Sequence, residues 1–324
     1  MTLRFLAGVG LCLAVLAESV MPGPGWAAGP QAISQRQKSG TEAALMSVYF
    51  RDAKLGWAVG AGGAILKTGD GGKRWKPVSS GTGALLTGVF FADTARGWIV
   101  GSNGTILHSQ DGGNRWVQQN SGTQSALYGV YFLTSVSGWV VGTGGTILHT
   151  EDGGRHWTDQ TSGSNAVLYA VHFVDQEHGR VSGALGTVLA TDDGGSTWVV
   201  QDTQSSATLF DVFFIDPLNG WAVGNEGAMF QTINGGKQWI DRTLACLKTC
   251  SRPTDLLKIR FTDSKVGWAV GDRGSIFRTT DAGFTWVEQE NGIKAALYGL
   301  TFPDPTQGWA SGERGTILHI TMSP

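Results

Sequence analysis

One segment returns seven times along this chain: Leu-x-x-Val-x-Phe, then Gly-Trp-Ala-Val-Gly-x-x-Gly-Thr-Ile-Leu, then Asp-Gly-Gly-x-x-Trp. The phenylalanine anchoring each copy is Phe50, Phe91, Phe132, Phe173, Phe214, Phe261 and Phe302. Neighbouring anchors lie 41 residues apart, except for 47 between Phe214 and Phe261. A period of about 40–45 residues holding several short strands is the mark of a β-propeller. The expected fold is therefore all-β: a seven-bladed β-propeller with four antiparallel strands per blade, one domain over residues 29–324.

The third copy shows how a repeat becomes a blade. Residues 127–132 alternate large side chains and fit a buried strand. Residues 138–142 make the second strand, Thr143-Gly144 a two-residue turn, residues 145–150 the third, and Trp157 opens the fourth. The 49 glycines suit such short strands and tight turns. In the turn after the third strand a carboxylate, Asp70 in the first copy, can accept N–H bonds from its own loop. This turn resembles the Asp-box of sialidase-like propellers, which is structural there; Asn234 takes the Asp position in the fifth copy. The seventh copy stops after its third strand, while Ser39-Gly-Thr41 near the N-terminus matches Ser121-Gly-Thr123. Residues 32–38 are therefore expected to pair with the last blade and close the ring, removing two exposed sheet edges.

The first 28 residues are of another kind. Arg4, an apolar run over residues 5–17, a break at residues 22–25 and Trp26-Ala27-Ala28 read as a secretory signal peptide. An uncleaved anchor is the alternative. No later segment is long and apolar enough to span a bilayer, so the mature chain is expected in the periplasm or outside the cell. Cys12 lies inside the apolar run, which leaves Cys246 and Cys250 as a candidate disulfide in an oxidising compartment.

Composition and repeat alignment weigh against most chemistry. A formal net charge of −2 gives no global attraction to nucleic acid. His108, His149 and His319 occupy one repeat position in three different blades, too far apart to share a metal ion. Twelve of the 13 tryptophans are repeat positions and the last is Trp26, which leaves none for a sugar platform. Tyr128, Tyr169 and Tyr298 share an innermost-strand position and are candidates to line the channel. A glycosidase needs two facing carboxylates, yet Asp211 is nearly the only acid on the innermost strands, and no arginine cluster falls there in matching positions. No catalytic residue, cofactor or metal is expected, and a monomer is.

The breaks in the repeat are more telling. Arg180 replaces the second-strand tryptophan in the fourth blade alone, with Asp175 and Glu177 close in sequence as partners for a local ion pair. The turns between the second and third strands are uncharged in blades one to four. They become Asn225-Glu226, Asp272-Arg273 and Glu313-Arg314 in blades five to seven. In a propeller these turns share a face with the connections between blades. The six extra residues, within 246–253 and carrying Lys248 and Arg252, belong to the same face and sector. Glu226, Asp272, Arg273, Glu313, Arg314, Lys248 and Arg252, with Arg180, are the partner-binding candidates; a merely solvated patch is the alternative.

The Asp-turn together with Gly-Trp-Ala-Val-Gly-x-x-Gly-x-Ile resembles the photosystem II stability/assembly factor family of seven-bladed propellers. The resemblance recurs through residues 31–321. It implies an exported, non-enzymatic protein that docks on a subunit of a membrane complex, in a thylakoid lumen where the host is photosynthetic. It further implies a basic surface in which arginine precedes the third-strand glycine. Arg273-Gly274 and Arg314-Gly315 follow that pattern; the other copies carry Gly62, Asn103, Gly144, Leu185 and Glu226. A carbohydrate-binding or glycoside-hydrolysing propeller and a soluble partner of a membrane transporter are the alternatives.

Overall fold

A computed structural model describes residues 32–243 and 254–322. Its strands form seven four-stranded antiparallel sheets, six of them taken in chain order from the innermost strand outward. In the third blade the strands are Leu127–Phe132, Gly138–Gly142, Ile147–Thr150 and Thr158–Asp159. The third strand starts two residues later than the sequence pattern suggests. Gly145 instead belongs to a 3-10 turn, Thr143–Gly145, and its N–H donates to Ala166 O of the connection to the next blade.

The last blade takes its outer strand from the N-terminus, as expected. Ala32–Gln37 pairs antiparallel with Ile317–Met322, from Ala32 opposite Met322 to Gln37 opposite Ile317. Gln37 then ties the seam to blade one. Its side-chain amide donates to Gly71 O at 2.8 Å and accepts from Trp75 Nε1 at 3.2 Å.

Packing between blades explains the anchor phenylalanine. The second-strand tryptophan of one blade stacks on the phenylalanine of the next. Trp57 lies 3.6 Å from Phe91, Trp98 3.6 Å from Phe132 and Trp139 3.7 Å from Phe173, between ring centroids. Trp309 on Phe50, at 3.7 Å, joins blade seven to blade one. In blades one to six the phenylalanine also meets the tryptophan after the Asp-turn edge-on, as in Phe132 with Trp157 at 5.9 Å and 87°. Such rings bury large apolar areas and add about 0.5–1.5 kcal/mol per aromatic pair. Gly138 is required beneath this stack, since a Cβ there would fall 2.4 Å from the Phe132 ring. His108, His149 and His319 stack on Trp98, Trp139 and Trp309 of their own blades at 4.8, 4.6 and 4.6 Å.

The Asp-centred turn works as its residues suggest. Asp70 Oδ1 accepts from Thr68 Oγ1 and from the Arg74 N–H, and Thr68 Oγ1 in turn accepts from the Gly72 N–H. Asn234 makes the same pair of bonds, from Thr232 Oγ1 at 3.0 Å and the Gln238 N–H at 2.9 Å.

Arg180 corrects one expectation. Its carboxylate partner is neither Asp175 nor Glu177 but Asp192, at 3.3 Å. Most of its bonding goes to carbonyl oxygens: Gly179 and Thr191 from Nη1, and Gly235 from Nη2. Its guanidinium carbon sits 5.3 Å above the Phe214 ring. Arg180 thus copies the missing tryptophan twice over. It covers the next blade's phenylalanine, and it reaches the carbonyl that corresponds to Gly153 O, the acceptor of Trp98 Nε1. Arg180→Ala is expected to cost about 2–4 kcal/mol through lost packing and unpaired carbonyls. Arg180→Trp should retain most of that stability. Urea unfolding of the two variants checks both outcomes.

Candidate functional site

Two regions depart from seven-fold regularity. The first is the face bearing the turns between second and third strands. These turns hydrogen-bond to the inter-blade connections, as in Ala61 N–H to Ala44 O and Gly63 N–H to Ala84 O, so both lie on one face. The Asp-turns lie on the other, where Gly71 N–H donates to Lys54 O in the turn between first and second strands.

Each turn presents two residues with different roles. The first points back into the structure. Ser102 Oγ, Thr143 Oγ1, Asn225 Oδ1 and Glu313 Oε2 each accept the N–H of a connection residue 17 positions earlier. Glu313 also accepts from the Tyr298 hydroxyl at 3.2 Å, and burial with this carboxylate pushes the phenol up to about 12. Burial, then Asp255 and Glu313, raise the Asp272 carboxyl against the opposing pull of Arg273. Asp272 and Glu313 are therefore half-buried members of the turn scaffold.

The second residue is an exposed tip in left-handed backbone in all seven blades. Its φ is 65° at Gly62, 57° at Asn103, 66° at Gly144 and 57° at Leu185. It is 55° at Glu226, 56° at Arg273 and 50° at Arg314. Glycine adopts this conformation freely, whereas a residue with a Cβ is disfavoured there by roughly 1–2 kcal/mol. Blades four to seven all carry such a side chain. Non-glycine residues held in this region cluster at functional sites.

Of the candidate residues read from sequence, the structure brings Glu226, Arg273 and Arg314 together as consecutive tips on this face. Glu226 N–H donates to Asp255 Oδ1 at 2.8 Å, and Arg273 Nη2 to Thr254 Oγ1 at 2.5 Å. Asp272 and Glu313 lie just beneath. Arg180 is buried and its bonds run to the Asp-turn side, so it is no part of this face. Lys248, Arg252, Cys246 and Cys250, like the N-terminal signal segment, lie outside the described residues.

The second irregular region is the central channel, where the sequence reading singled out Asp211 and three tyrosines but neither the collar nor the cations that pair with Asp211. The fifth residue of each innermost strand forms a collar around it. Tyr49, Phe90, Tyr131, His172 and Phe213 follow one another at centroid distances of 5.4, 5.1, 5.2 and 4.9 Å. Blade six breaks the collar with Arg260, 5.7 Å above Phe213, and blade seven supplies Thr301. Asp211, at the third position of its strand, accepts from Lys258 Nζ at 3.1 Å, Arg260 Nη1 at 2.6 Å and the Ile259 N–H at 3.0 Å. Burial alone would raise this carboxyl, but Arg260 and Lys258 outweigh it and hold the carboxyl below the usual range. The absent signal was positional. The third place of the inner strands turns charged in copies five and six and the fifth place in copy six, and only a comparison of those two columns shows it. Of the tyrosines expected at the channel, Tyr128 lines the cavity and packs on Tyr169 at 5.3 Å, while Tyr298 turns to Glu313.

His172 in the collar is neutral. Burial, then the Arg260 charge, push it down to about 3. A folded-state value below the unfolded one of about 6.5 means the unfolded chain binds the extra proton first as pH falls. Stability should therefore decline as pH drops below about 6.5, well above the window in which Asp211 protonates. His172→Phe, which matches Phe90 and Phe213, should flatten thermal midpoint against pH between 8 and 5. His108, His149 and His319, lowered by burial, leave a residual slope.

With this geometry in view, the comparisons decide the family. The profile of the photosynthesis system II assembly factor YCF48 matches residues 31–121, 74–162 and 246–321, more than half of the chain. The chain belongs to this family. No curated protein matches it by sequence. Among solved structures, YCF48 bound to a D1 peptide is 21% identical with a TM-score of 0.75, over 90% of this chain and 96% of that one. YCF48 from Cyanidioschyzon merolae is also 21% identical, with a TM-score of 0.73 over 89% and 98%. A GH74 xyloglucanase from Xanthomonas campestris is 11% identical, at 0.71, and 89% of this chain aligns with 53% of it. At such identities the structural likeness carries the fold alone, and membership in the YCF48 family rests on the profile. Among the described residues no helix is long and apolar enough to cross a membrane.

Proposed function

We propose that this YCF48-family propeller is an exported, non-catalytic factor that assists assembly of a membrane protein complex by holding a segment of one subunit. The docking face is the one bearing the tips of blades five to seven, Glu226, Arg273 and Arg314. Lys248 and Arg252, outside the described residues, remain candidates from the sequence pattern. The observation that carries this reading is the run of left-handed, charged tips in consecutive blades, where glycine would be more stable. The D1 peptide bound to a YCF48 relative supports a peptide segment of a subunit as the kind of partner. Its host compartment is the periplasm, or a thylakoid lumen in a photosynthetic cell. A non-catalytic role is supported by Asp211, the carboxylate that lines the channel among the described residues, being sealed by its own cations.

The test is Arg273→Gly combined with Arg314→Gly. Glycine removes both charges and relieves the backbone, so thermal stability should hold or rise, by about 1 kcal/mol per site at most. Crosslinking in intact cells, with identification of the captured membrane protein, should lose at least tenfold of its yield. Unchanged capture with the double variant would show that this face is not the docking site.

A further inference from the structure

We propose that the central channel holds a second binding site, independent of the docking face, for a small flat monocarboxylate. The channel encloses a cavity of about 230 Å³ lined by the innermost strands of all seven blades. Its charges do not cancel: Lys258 and Arg260 supply two cations and Asp211 one anion. The neutral His172 adds none, which leaves one positive charge for a bound monoanion to neutralise.

Side-chain exposure shows which groups face the cavity. Asp211 retains 2% and is sealed, whereas Lys258 retains 24% and Arg260 30%. Arg260 uses Nη1 for Asp211 and for Ile259 O. Among the described residues its Nε and Nη2 have no protein acceptor, and Lys258 Nζ gives only one of its three N–H bonds, to Asp211. A guanidinium edge beside an ammonium suits the planar geometry of a carboxylate. The shape of the cavity points the same way. Blades five and six alone carry charged side chains at this place, Asp211 and Lys258, against Gly88, Gly129 and Ala170 in blades two to four, so the cations stand on one side of the cavity space. The collar beside that space is aromatic and suits a flat apolar body. His172 Nδ1 is buried within the collar without a hydrogen-bond partner. The cavity thus sets an aromatic wall beside a few convergent polar groups, as small-molecule sites do.

The probe is sodium benzoate, titrated into the full chain by calorimetry, with benzamide as the uncharged analogue of the same shape. Benzoate should bind saturably with one site per chain, and benzamide at least tenfold more weakly. Lys258→Met keeps the Asp211–Arg260 pair and so should unfold at close to the wild-type temperature, yet weaken benzoate at least tenfold. The Arg273→Gly, Arg314→Gly variant should bind benzoate like wild type, which separates this site from the docking face. Absence of saturable benzoate binding, equal binding of benzamide, or an unaffected Lys258→Met variant would each overturn the proposal.

Discussion

Removal of residues 32–38 should leave a propeller that unfolds on the order of 10 °C lower and aggregates on storage. The missing strand makes a six-residue ladder with Ile317–Met322. At a net 0.5–1.5 kcal/mol per hydrogen bond, its loss removes about 3–6 kcal/mol. A change of 1 kcal/mol shifts the midpoint of a large domain by roughly 2–4 °C. Two further consequences follow from the seam. Gln37 no longer links Gly71 O to Trp75 Nε1, and the third strand of blade seven becomes an open edge that templates pairing between chains. Differential scanning calorimetry with light scattering reads both effects. A truncated chain that melts like wild type and stays monomeric would show that the ring does not depend on this closure.

Asp211→Ala is the second large effect. It strands Lys258 and Arg260 beside an apolar collar with no counter-charge. Breaking a buried ion pair from one side costs about 3–5 kcal/mol. The same principle predicts recovery when the cluster is neutralised as a whole. Asp211→Ala, Lys258→Gly and Arg260→Phe together copy residues used at the same positions in blades two to four, and should unfold near the wild-type urea midpoint. Acid adds an independent check on sign. Because the Asp211 carboxyl is held below its ordinary value, its contribution is complete above about pH 4 and disappears as pH falls through the folded-state value. Asp211→Asn should make the acid limb shallower, the lowered carboxyls of the Asp-turns and of Asp93, Asp216 and Asp304 keeping the rest, while leaving the His172 slope nearer neutrality. A single Asp211→Ala variant as stable as wild type would mean the two cations are solvated well enough without it.

Legibility from sequence followed the repeat. Wherever seven copies agreed, residue identity carried the structure. Phe132 and Trp139 read as core because their equivalents recur, and they stack on neighbouring blades as rings of that size must. Closure by the N-terminal strand was legible because blade seven visibly lacks its fourth strand. Single-copy residues were read less well. Arg180 looked like half of a local ion pair, because proximity in sequence says nothing about a carbonyl 55 residues away. The turn residues of blades five to seven were grouped by charge alone. The backbone splits them: Glu313 replaces the caps formed by Thr143 and Asn225, while Arg314 stands out on a left-handed tip. The Asp211, Lys258 and Arg260 cluster escaped notice because its members lie on two strands 47 to 49 residues apart. Only the channel brings them together.

The docking face is tested most directly by a photoreactive residue, p-benzoylphenylalanine, placed at position 314 in one variant and at position 73 in another. Arg314 crowns the proposed face, and Lys73 is exposed on an Asp-turn of the opposite one. Irradiation of intact cells should yield a membrane-protein adduct from position 314 and none from position 73. Equal adducts from both positions, or an adduct from position 73 alone, would contradict the assignment of this face to partner binding.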